Sequence, residues 1–229
     1  TVSTGGTITA SSGSIQIGKD ITLSAQTTFS QSVVLAAGAD ITLSGNAEFN
    51  STVTGSSSGL SITGNAVFGD GTGTDTVSGI TNLEVTGTTT INTAEITTTG
   101  TQIYTGGVTL SETTALTAYG AGTAQNINIL NSLTGAGAGY SLTISEGNLQ
   151  TPPAVTNLET LVFGGDFTKS FDPGGAAFEN VTFNTTDTVT ISSAFDVTGD
   201  VTVNDSACTV NFTDAADFEQ TNTAALFTI

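Results

Sequence analysis

The chain has 229 residues, with 20 Asp and Glu against two Lys, no Arg and no His, for a formal net charge of −18. So few cations exclude phosphate-dominated recognition of nucleic acid and attraction to an anionic membrane surface, and no apolar run approaches the roughly 20 residues that a membrane-spanning helix needs. Hydrophobic residues make up 37% and include 12 Phe, which separates the chain from disordered segments of similar polarity.

In chain order, the first legible elements are three versions of one motif: ITLSAQTTF at 21–29, ITLSGNAEF at 41–49 and LSITGNAVF at 60–68. Each opens on an apolar-polar-apolar triplet, the alternation of a strand with one buried face. The triplet recurs as Leu83-Glu84-Val85, Val108-Thr109-Leu110, Ile127-Asn128-Ile129 and Leu142-Thr143-Ile144. It then regains its step in Leu161-Val162-Phe163, Val181-Thr182-Phe183 and Val201-Thr202-Val203. ITNLE at 80–84 and VTNLE at 155–159 read as the echo of a larger unit. No stretch reads as a helix.

Short strands at this period, without hairpin spacing between most of them, predict an all-β parallel β-helix, or β-solenoid. It would have about ten coils of roughly 20 residues, stacked about 4.8 Å apart into a rod on the order of 50 Å long. Stacking places Ile21, Ile41 and Leu60 in one interior column, Leu23, Leu43 and Ile62 in a second, and Phe29, Phe49 and Phe68 in a third. Gly45 and Gly64, each followed by Asn, are assigned to corners that need a left-handed backbone. Asn46 and Asn65 are expected to form a hydrogen-bonded ladder. Two stretches interrupt the pattern. The Gly- and Ala-rich stretch 120–139 reads as a loop or weakly specified coil, and Gln150-Thr151-Pro152-Pro153 as a turn or seam. Residues 1–229 read as one domain with a seam between two repeat blocks near 120–153.

The segment EITTTGTQIYTGGVTL at 95–110, with TTALT at 113–117 and the triplets at Ile21, Ile41 and Leu60, resembles the β-strand repeats of filamentous-haemagglutinin-like and autotransporter-like bacterial surface proteins. The resemblance covers most of the chain. It implies a right-handed coil, export through an outer-membrane pore, and a role in adhesion, aggregation or surface structure. It transfers no functional residue, and the chain shows neither a secretion-domain motif of the two-partner type nor a C-terminal barrel. Thr1 does not open a signal peptide, so the chain is expected to be a piece of a longer protein. Single Cys208 cannot form an internal disulfide and reads as a small semi-buried residue; an export route that avoids disulfides fits it.

Parallel β-helices also carry polysaccharide lyases and hydrolases, the first needing a strong base and the second converging carboxylates. The shortage of cations argues against a lyase. Asp196, Asp200 and Asp205 fall within one coil, followed by Asp214 and Asp217; they read as solvated acids on turns. No catalytic residue is assigned. Asp70 and Asp75 flank a glycine-rich loop whose carboxylates and carbonyls suit calcium; it matches neither an EF-hand nor the glycine-aspartate nonapeptide repeat, and a plain polar turn is the favoured reading. The outward residues Thr22, Thr42, Ser61, Thr109, Thr143, Thr182 and Thr202 raise ice binding, but Glu84, Asn128 and Val162 interrupt the row, and outward Thr is an ordinary strand residue. Sequons at Asn50, Asn180, Asn184, Asn204 and Asn211 follow from composition.

The function expected is a non-enzymatic adhesin or structural segment at the bacterial cell surface. Its exposed faces would contact glycans or proteins of a host or neighbouring cell, or other copies of itself. A self-assembling filament or sheath subunit is the alternative, and a carbohydrate-active enzyme a third.

Overall fold

The computed structural model describes residues 13–72, 74–137, 139–152 and 154–213, together with the strand backbones Phe218–Gln220 and Phe227–Thr228. Among them there is no helix, and the chain winds as a parallel β-solenoid of about ten coils, about 20 residues apart.

Each coil contributes strands to three faces. The first ladder runs from Ile15–Ile17 through Val33–Leu35 to Val201–Val203 and Phe227–Thr228. The second runs from Ile21–Leu23 through Ile41–Leu43 to Thr209–Phe212. The third runs from Thr27–Phe29 to Ala154–Thr156, stops, and resumes with Ala177–Phe178, Phe195–Val197 and Phe218–Gln220. Strands Val53–Ile62 and Thr76–Val85 pass from the first face to the second without a break in the strand.

The interior is built by register. Ile21, Ile41 and Leu60 pair in sequence, as do Leu23, Leu43 and Ile62. Phe29, Phe49 and Phe68 form a stack with ring centroids 4.7 and 5.6 Å apart and planes 6° and 10° from parallel, and Ile91 and Leu110 continue that column. These three columns are as the sequence predicts.

The later triplets do not stay in one column. Val108-Thr109-Leu110 lies on the third face, under the phenylalanines. Leu142-Thr143-Ile144, Leu161-Val162-Phe163, Val181-Thr182-Phe183 and Val201-Thr202-Val203 lie on the first. The outward threonines therefore divide among three faces and form no single row. The two NLE echoes also part company: Asn82 sits between the first and second faces and Asn157 between the third and the first.

Two further expectations change. Gly45 and Gly64 are absent from the positive-φ positions. They are glycine because the coil below is too close: a Cβ on Gly45 would lie 2.4 Å from the carbonyl carbon of Ala25, and one on Gly64 would lie 2.5 Å from that of Gly45. Gly87 and Gly106 extend the same column. Gly64→Ala is expected to cost about 1–3 kcal/mol through this overpacking. Gly18→Ala, where a Cβ meets nothing within 4 Å, should change stability by less than about 0.5 kcal/mol. Urea midpoints followed by circular dichroism make the comparison.

The asparagines do form a ladder, but from side chain to backbone. Asn46 Oδ1 accepts the Asn65 N–H at 3.0 Å, and Asn65 Oδ1 accepts that of Thr88 at 2.9 Å. Asp20, Asn82, Asn148 and Asn180 repeat the device at other corners, each accepting an N–H from the next coil. Corners lack the regular ladder, so a short acceptor side chain satisfies the exposed amide there.

Stretch 120–139 is more ordered than a loop. It contains strands Asn126–Ile129 and Ser132–Gly135, paired on the second and third faces. Tyr119 and Gly120 also pair antiparallel with Ala124 and Thr123. The first and second ladders continue through 120–153, and the interruption falls on the third face, after Ala154–Thr156.

Candidate functional site

The acids that the sequence groups are spread around the coil. Asp196 is an exposed residue of the third face, in register with Ala177. The Asp200 N–H donates to Asn180 Oδ1 at the next corner. Asp205 Oδ1 accepts the Ala207 N–H at 2.8 Å, beyond Val201–Val203. Asp214 and Asp217 lie outside the described residues.

In the glycine-rich loop, Asp70 Oδ1 accepts both the N–H and the hydroxyl of Thr72, at 2.8 and 2.6 Å. The Thr72 hydroxyl is the main cause of a lowered Asp70 pKa. Asp75 Oδ1 accepts the Ser51 hydroxyl at 3.4 Å. The two carboxylates thus hold their own turn and the neighbouring coil, and no three His, Cys, Asp or Glu among the described residues are grouped to hold a metal ion. An open groove of about 320 Å³ lies at the interruption of the third face, lined by Gly137, Gly139, Asn157, Glu159 and Glu179.

A charged cluster that the sequence reading passes over lies at the corner between the first and second faces. Lys169 points inward in register with Val189 and is 1% exposed. Its ammonium donates to the Gly164 carbonyl. Burial lowers its pKa, while Glu146, Asp187 and Asp166 pull it back up. Glu146 belongs to the coil below: its Oε1 accepts the Asp166 N–H at 3.2 Å, and its Oε2 is buried without a partner. Burial pushes the Glu146 carboxyl up, opposed by the Asp166 N–H and by Lys169. Cys208 is half-buried two coils above, its thiol pushed up by burial and then by Asp205. The signal for Lys169 is its spacing: Lys169-Ser170-Phe171-Asp172 alternates, and an inward Phe171 requires an inward Lys169.

This gives a pH prediction. Lys169 binds its proton more weakly folded than unfolded. Stability should therefore rise with pH from its lowered folded pKa up to the ordinary lysine value of 10.5. Cys208 and Tyr104, both raised, act in the opposite sense above 9.0 and 10.0. Comparing the melting temperatures of the parent chain and Lys169→Met isolates the lysine, and the parent's should rise relative to the variant's as pH rises through that window.

The geometry defines a class: a three-faced parallel β-solenoid with a ladder-capped corner and one buried lysine among carboxylates. No protein-family model, curated protein or solved structure matches the chain.

Proposed function

We propose that this chain is a structural or adhesive segment of an exported bacterial surface protein, displayed as a rod whose faces contact glycans or proteins of another cell. The observation that carries the reading is a continuous solenoid with small polar residues at many outward positions. Thr22, Thr42 and Ser61 lie outward on the second face, Thr90, Thr109 and Thr134 on the third, and Thr182 and Thr202 on the first. A repeat rod places such groups far from an anchor at little cost in sequence information. The bacterial surface location rests on the resemblance of 95–117 to haemagglutinin-like repeats.

Negative-stain microscopy across a concentration series, paired with a glycan and cell-binding screen, tests the reading. Separate short rods that bind cells support it. Long fibres of constant width would transfer the function to assembly, and sugar release from an acidic polysaccharide would replace it with catalysis. Calcium enters only as an expectation at Asp70 and Asp75, read by whether melting rises with calcium in the parent chain and not in Asp70→Ala/Asp75→Ala.

A further inference from the structure

The corner beside Glu146 carries an aromatic pair, one ring exposed and the other half-buried. Tyr119 is the penultimate residue of the strand Thr114–Gly120, which enters a two-residue hairpin whose tip, Ala121 and Gly122, has φ of 53° and 78°. Positive φ at both positions is the geometry of a tight type I′ turn. The hairpin is braced by the Thr123 hydroxyl on the Gly120 carbonyl and by Gln125 Nε2 on the Thr123 hydroxyl, at 3.1 and 2.9 Å. Two coils on, the loop between Thr160–Phe163 and Lys169–Asp172 projects Phe167, which is 41% exposed. The intervening coil turns tightly, with Gly147 alone between Ser141–Glu146 and Asn148–Gln150. The hairpin and the loop therefore meet across it, with the Tyr119 and Phe167 ring centroids 4.4 Å apart.

Carboxylates lie in the coil that this bridge spans, in the Phe167 loop and in the coil beyond it. Glu146 lies in the coil beneath it, Asp166 is exposed beside Phe167, and Asp187 follows in the next coil. The Thr186 hydroxyl donates to Asp166 and that of Thr168 to Asp187, each at 3.4 Å, which fixes both acids. All three act on a single buried ammonium, that of Lys169, so the corner holds more negative charge than it neutralises. An apolar sugar-facing platform would leave that excess uncompensated.

We infer that the Tyr119–Phe167 bridge and the flanking carboxylates form a docking site for an arginine-bearing segment of a partner protein. A guanidinium is planar, stacks on an aromatic face and forks a carboxylate, which an ammonium cannot do as well. Charge complementarity places the partner outside this chain, which has no Arg and two Lys, one of them buried. The inference goes beyond the surface-rod reading and holds wherever the rod is displayed.

The test is fluorescence anisotropy with a dye-labelled, end-capped peptide of alternating arginine and glycine, against a citrulline version of the same shape without the charge. The arginine peptide should bind and the citrulline peptide should not. Tyr119→Ala, Phe167→Ala and Asp166→Asn should each weaken binding by roughly fivefold, whereas Glu84→Gln, at an exposed carboxylate on the second face, should leave it unchanged. The three site residues are wholly or partly exposed, and unchanged melting will show that the variants fold. Equal binding by all variants would mean only a diffuse attraction to a chain of charge −18 and would overturn the proposal. So would equal binding of the citrulline peptide, or displacement of the arginine peptide by an uncharged oligosaccharide.

Discussion

Replacing Phe49 with alanine is expected to remove about 3–5 kcal/mol of folding stability, the cost of deleting a large buried ring that its surroundings cannot replace. The ring is 1% exposed and lies between Phe29 and Phe68, nearly parallel to both. Its backbone neighbours cannot close the gap: Thr27–Phe29, Ala47–Phe49 and Ala66–Phe68 are held in register by a parallel ladder, whose spacing of about 4.8 Å is set by hydrogen bonds and not by the ring. The alanine therefore leaves a void between two ring faces. Phe49→Leu fills most of it and should lose much less. Because each coil touches mainly its neighbours, the damage should be local. Hydrogen exchange should accelerate first at 27–29, 47–49 and 66–68, while 181–183 and 201–203 keep their protection. Urea unfolding gives the energy and exchange gives the location. A loss below about 1 kcal/mol would mean that the aromatic column is not what holds the third face together.

That column was legible because the spacing between Phe29, Phe49 and Phe68 is nearly constant, and a near-constant step preserves register whatever the handedness of the coil. The face assignment further on was not. Every coil carries an apolar-polar-apolar triplet on more than one face, so chemistry alone does not say whether Leu142-Thr143-Ile144 succeeds Ile127-Asn128-Ile129 or Leu116. The hairpin after Tyr119 lengthens that coil, so a constant step of about 20 residues passes from the second face to the first. The corner glycines illustrate a different limit. Their place was readable and their cause was not, since the contact of Gly64 with Gly45 is between coils and leaves no mark on local sequence. Lys169 and Glu146 escaped because a buried cation and a carboxylate from the coil below become neighbours only once the register is known. The bridge of Tyr119 and Phe167, two coils apart, escaped for the same reason.

Gln102→Leu should also destabilise, although leucine looks like the residue the column wants. Gln102 pairs with Leu83 and Ile127, so the substitution completes an apolar row, and a buried leucine brings about 1.5–3 kcal/mol. The side chain it removes is fully buried and serves several groups. Its Nε2 donates to the carbonyls of Thr117 and Ile96, at 2.8 and 3.1 Å, and its Oε1 accepts the Tyr104 hydroxyl at 3.0 Å. Both carbonyls lie where the ladder register shifts, between Ile96 and Thr98 on one strand and between Leu116 and Thr117 on the next. A bulge leaves backbone groups unpaired, and the amide is what meets them. Three orphaned groups at about 1–3 kcal/mol each outweigh the leucine, and the net loss should be about 2–4 kcal/mol. Tyr104 gives the check. It is itself fully buried, and burial drives its hydroxyl pKa far upward, so the hydroxyl stays a proton donor in need of an acceptor. Adding Tyr104→Phe to Gln102→Leu removes one orphan and should restore about 1 kcal/mol, whereas Tyr104→Phe alone should destabilise. A Gln102→Leu chain as stable as the parent would show that the bulge carbonyls find other donors, and that the glutamine is a tolerated break in the column and not the clasp that permits two bulges to stack.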